Sequence, residues 1–72
     1  MKHKALQDVL VEAGVIREAH EAYLLLGTTG VSVNGLYEGN TTRRVDENDE
    51  VRVNQFPPYR YIQCINGKWQ EV

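Results

Sequence analysis

Only one cysteine, Cys64, occurs in the 72 residues, so no disulfide can form within the chain. A reducing, cytoplasmic setting follows as the expectation. Long apolar runs are also missing. The longest, Ala22 to Leu26, is far too short to span a bilayer, and no apolar stretch follows the charged N-terminus as a secretory signal would require. No membrane partner is therefore expected. No basic block is present: residues 1–36 carry three Lys/Arg against four Asp/Glu, residues 37–72 five against six, and the net charge is −2. That balance argues against a dedicated non-specific nucleic-acid binder, whose affinity comes mainly from neutralising phosphates. His3, His20 and Cys64 have no metal-ligand spacing, and "DENDE" lacks the glycine of a calcium loop. No Gly-rich phosphate loop occurs. Neither a cofactor nor an active site is expected. Cys64 falls in a predicted strand and reads as an inert, buried thiol.

What is present is a change of period. Leu6, Val9, Leu10 and Ala13 form one helical stripe, and Gly14 is placed to end that helix. A second helix is expected from about Glu18 to Leu26, with Ala19, Ala22, Tyr23 and Leu26 on its apolar face. Glu18 and Glu21 suit its N-terminal end, and Arg17 with Glu21 has the spacing of an i,i+4 ion pair. "GTTG" is a loop. From Val31 the period becomes two. Val31 and Val33 lead into Asn34-Gly35, a hairpin turn, with "LYE" returning. "GNTTRR" reads as an exposed connection, and Asn48 suits a left-handed turn position. Val51 and Val53 mark a half-buried strand. "FPPY" breaks the ladder as a linker, and "RYIQCI-NG-KWQEV" is a second hairpin. Trp69 is expected to cap the core beside Tyr61. The fold class is α+β: two short N-terminal helices packed on a small, mainly antiparallel sheet, in one domain spanning 1–72.

"LQDVLVEAGV", "EAYLLL", "VSVNG", "RRV" and "NDEV" together resemble the S-four RNA-binding domain, named for a protein of the small ribosomal subunit. That family's pattern is roughly RLDxxLxxAG, SRxEARxLIxxGxVxVNG, a spacer, then RVxxGDxI. The register holds without a gap from Leu6 to Val53. Gly14, Glu21-Ala22, Val31, Val33, Asn34-Gly35, Arg44-Val45 and Asp49-Glu50 fall where the pattern requires. "RYIQCINGKW" is similar to the end of the same domain in bacterial tyrosyl-tRNA synthetases. The resemblance implies a non-catalytic module that grips structured RNA, such as tRNA or rRNA, with a helix pair and an Asn-Gly corner. It implies contacts by cations matched to phosphates.

The family's basic positions depart from the pattern. They fall here on Ala5, Ala19, His20, Tyr23, Ser32 and Leu36, while Glu18 stands where the pattern has Ser and Gln7 where it has Asp. The loop glycine is displaced from Thr29 to Gly30. The remaining RNA-contact candidates are Lys2, Lys4, Arg17, His20, Tyr23, Asn34, Arg43, Arg44 and Lys68. The stripe puts Tyr23 in the core, with base stacking as the alternative; His20 is expected in solvent. A second reading is a degenerate S-four fold whose acidic or apolar surface binds a protein. A third is that the domain binds nothing itself and orients a larger enzyme.

Overall fold

The computed structural model describes residues 3–28, 30–54 and 60–72. Lys2, Thr29 and the "FPPY" linker lie outside them. The described elements are β1 (His3–Ala5), α1 (Leu6–Glu12), a 3₁₀ turn (Ala19–Glu21), α2 (Ala22–Gly27), β2 (Val31–Val33), β3 (Leu36–Tyr37), β4 (Arg44–Asp46), β5 (Val51–Val53), β6 (Arg60–Ile65) and β7 (Lys68–Glu71). The class is α+β, as the period change predicts.

α1 buries Leu6, Val9 and Leu10 completely, and Gly14 follows it at φ +81°, a conformation glycine adopts freely. Five antiparallel strands form one sheet in the order β3-β2-β5-β6-β7. Val31, Val33, Val51, Val53, Ile62 and Trp69 face the helices and join Leu6, Val9, Leu10, Ala22 and Leu26 in one core. Both Asn-Gly turns have the positive φ values of a two-residue hairpin: Asn34 +52° and Gly35 +86°, Asn66 +52° and Gly67 +80°.

Several expectations need correction. The sheet is not single: β1 and β4 form a separate two-stranded ribbon, pairing Lys4 with Val45 and Ala5 with Arg44. Three residues are too few to show a period, so β1 is silent in the sequence. Arg44 accordingly begins a strand instead of ending a loop. Asn48 does not take a left-handed conformation; positive φ outside glycine is confined, among the described residues, to Asn34 and Asn66. The turn is closed by side chains, with Asn48 N–H donating to Asp46 Oδ1 at 3.0 Å and Asp46 N–H to Asp49 Oδ2 at 2.9 Å. Trp69 does cap the core, but Tyr61 is not beside it. Trp69 pairs with Cys64, half-buried against the core, whereas Tyr61 lies on the opposite face of β6 by strand alternation.

The second helix begins as a 3₁₀ turn, which advances about 120° per residue instead of about 100°. The stripe predicted for a uniform α-helix is therefore displaced. Ala22 and Leu26 are buried and Leu25 is partly so, while Tyr23 points outward with 76% of its surface exposed.

Candidate nucleic-acid interface

Glu21, not a salt bridge, opens the second helix. Its Oε1 accepts the backbone N–H of Arg17 and of Glu18, each at 3.0 Å. Glu18 is the N-cap residue of the resulting capping box. The expected Arg17–Glu21 ion pair is thus replaced by a main-chain contact. The Arg17 side chain has no ion-pair partner among the described residues. His20 is exposed, as expected, with Nε2 3.7 Å from a Glu18 carboxylate oxygen. Tyr23 and its neighbour Leu24 are both 76% exposed. Arg17, His20 and Tyr23 thus share the stretch that leads into and forms the second helix.

Lys4, Lys68, Asn34 and Arg43 are gathered at two carboxylates. Glu12, at the end of α1, takes the Lys4 ammonium on Oε1 and the Trp69 backbone N–H on Oε2 at 2.6 Å. Lys68 is close enough to act on the same carboxylate by charge. Glu12 therefore ties β1, α1 and β7 together. The Lys4 hydrogen bond, then the Trp69 N–H, hold its carboxyl below the usual glutamate range.

Asp49 is the second collection point. Asn34 Nδ2 donates to Asp49 Oδ1 at 3.0 Å, and the Glu50 N–H donates to Asn34 Oδ1 at 2.9 Å. The Asn34 N–H donates to the Glu50 carbonyl at 2.8 Å. Arg43 lies 3.0 Å from Glu38 through Nε and 3.8 Å from Asp49 through Nη1. The hydrogen bond from Asn34, aided by the Asp46 backbone N–H and the Arg43 charge, lowers the Asp49 pKa. Both groups of the Asn34 amide are thus occupied by the protein itself. The Arg43-Arg44 pair divides: Arg43 belongs to the corner, while Arg44 is exposed on β4 with no ion pair among the described residues.

Sequence reasoning missed Glu12 and Asp49 as the centres of these groups. Their partners are distant in the chain, so no local spacing marks either carboxylate. A pH dependence follows. Both carboxyls titrate below their unfolded values, so their stabilisation is complete above about pH 5. It is lost as pH falls through ordinary values near 4 and then through the lowered folded ones. Urea midpoints measured between pH 7 and 3 should therefore fall for the parent chain. The fall should be visibly shallower for Glu12→Gln combined with Asp49→Asn; parallel curves would show that neither carboxylate matters.

No family model and no curated protein matches the chain. Among solved structures, the trimeric structure of heat shock protein 15 from Vibrio cholerae superposes with a TM-score of 0.76 at 14% identity, covering 99% of this chain and 83% of that one. The likeness is one of fold and extends through nearly the whole of this chain.

Proposed function

We propose that the chain is a non-catalytic RNA-binding module of the S-four type, contacting structured RNA such as tRNA or rRNA through its helix pair. The carrying observation is the surface at the second helix on which Arg17, His20 and Tyr23 are all exposed. Arg17, Arg44 and Lys68 supply the phosphate contacts, His20 adds to them when protonated, and Tyr23 stacks on a base. Lys4 is held by Glu12 and contributes less. Asn34 and Arg43 build the corner and do not touch RNA. The setting is cytoplasmic. So few cations give a weak grip, which suffices in a terminal domain of a tyrosyl-tRNA synthetase-like protein, where the linked enzyme raises the effective concentration of RNA.

Titration with tRNA and with rRNA hairpins between about 50 and 200 mM salt tests this reading. About three phosphate contacts predict a log–log slope of roughly −2 to −3, hence about a 15- to 60-fold loss of affinity over that range. Absence of saturable binding at the low-salt end would exclude it.

The protein-binding alternative keeps one observation of its own. Tyr23 and Leu24 are both largely exposed, and Leu24 lines a groove with Val15, Ile16 and Leu25. Binding of a protein partner that is insensitive to salt and lost with Leu24→Ser would favour that reading.

A further inference from the structure

The face of the five-stranded sheet turned away from the helices has its own chemistry. In antiparallel pairing, residues directly opposite one another share a face. Tyr37 pairs with Ser32, Ser32 with Arg52, and Arg52 with Tyr61. These four side chains form one row across β3, β2, β5 and β6. Tyr37 is 67% exposed and Tyr61 39%, while Arg52 is half-buried between them with its Nε donating to Asn54 Oδ1 at 2.7 Å. Ser32 is only 1% exposed, and its hydroxyl has no hydrogen-bond partner among the described residues. Gln63, Ile65, Lys68 and Gln70 extend the same face over β6 and β7.

No strand position on this outward face is acidic, although the chain has ten Asp and Glu. The acidic strand residue of the sheet, Glu71, pairs with core-facing Ile62 and meets Arg60 at 3.6 Å. Glu50, which precedes β5, marks the boundary at the Asn-Gly corner. The face thus joins two exposed aromatic rings, two cations and neutral amides. Tyrosine rings offer stacking planes and arginine a third, amides pair with base edges, and a surface without carboxylates does not repel phosphates.

We propose that this sheet face binds unpaired bases of single-stranded RNA, with the exposed rings of Tyr37 and Tyr61 as two stacking platforms and Arg52 between them. The platforms stand about 14 Å apart, three strand intervals of about 4.8 Å, so they hold bases that are not neighbours in the strand. The stacking row of Tyr37, Arg52 and Tyr61 is separate from the helix-pair surface and shares none of its proposed contacts.

The test uses the whole chain and two labelled RNAs, an unstructured octamer and a stable hairpin, at about 50 mM salt. The octamer should bind saturably and shift the backbone amide resonances of Ser32, Tyr37, Arg52 and Tyr61. Tyr37→Leu and Tyr61→Leu should each weaken octamer binding at least about fivefold, the lower end of what one stacked base contributes. Tyr61→Phe keeps the ring and should bind normally. Arg17→Ala with Tyr23→Ala should spare octamer binding while lowering hairpin binding. Amide spectra of each variant establish that it is folded. An octamer that does not bind, shifts confined to the helix pair, or a folded Tyr61→Leu chain with parental affinity would each overturn the proposal. A parent chain that binds the octamer but not the hairpin would instead refute the helix-pair reading alone.

Discussion

Asn34→Ala should lower the melting temperature by about 10–20 °C, whereas the same change at Asn66 should lower it by only a few degrees. Both asparagines occupy the first position of an Asn-Gly turn at φ +52°. Alanine is strained there by roughly 1 kcal/mol or a little more at either position. The difference lies in the side chains. Asn34 spans two turns: its amide donates to Asp49 and accepts from the Glu50 backbone, while Asn66 makes no side-chain hydrogen bond among the described residues. Losing one bond to a charged acceptor and one to a backbone donor adds about 1–2 kcal/mol in this exposed setting. The total for Asn34→Ala is then about 2–3 kcal/mol. A domain of this size has only about 4–11 kcal/mol of stability, and each kcal/mol moves its midpoint by about 4–8 °C. Asn34→Gly relieves the strain and should recover about 1 kcal/mol. Equal losses at Asn34 and Asn66 in calorimetry would show that the latch contributes nothing. The result also bears on binding, because a residue that latches two turns is a poor RNA contact.

The parts of this fold that were legible in the sequence depend on neighbours close along the chain. Asn34-Gly35 and Asn66-Gly67 declare their turns because so few residues tolerate positive φ. The alternating valines of β2 and β5 declare one buried face, and Leu6, Val9 and Leu10 declare α1. What was illegible depends on partners remote in sequence or on small changes of helical pitch. β1 exists because β4 pairs with it 41 positions away, at Lys4 and Val45. Tyr23 left the core because one 3₁₀ turn rotated the helix beneath it. Lys4 and Trp69 reach Glu12 from opposite ends of the chain, and Asn34 finds Asp49 across two strands. Charge counting treats Lys4 and Arg43 as available for phosphate. The structure commits both to carboxylates, so the free positive charge is smaller than the composition suggests. The S-four resemblance located the corner correctly, and the helix pair and adjoining strands it implied are there.

On the proposed RNA-binding reading, introducing the S-four pattern at the second helix should raise affinity for structured RNA by about two orders of magnitude. The variant is Glu18→Ser, Ala19→Arg and Tyr23→Arg in one chain. The pattern Ser-Arg-x-Glu is itself a capping box, in which Ser at the N-cap pairs with Glu three residues on. In this chain Glu18 sits at that N-cap with extended backbone, φ −133° and ψ 148°, and Glu21 already bonds the amides before the turn. Serine is a stronger N-cap than glutamate, so the first substitution keeps the helix start and removes an anion. Ala19 is half-buried, but an arginine stem can lie along apolar surface while its guanidinium reaches solvent. Tyr23 is already exposed, so its replacement leaves the core intact, and an arginine guanidinium offers a plane for the base proposed to stack on the ring. Two added phosphate contacts at about 50 mM salt contribute about tenfold each, and at about 200 mM their combined gain shrinks to about tenfold. The log–log slope should steepen by about 1.5–2 units. The melting temperature should stay within a few degrees of the parent's, because no buried contact is lost. A folded variant with unchanged affinity and slope would mean that the helix pair is not the face that meets RNA, and the exposed Tyr23–Leu24 surface would then be left to a protein partner.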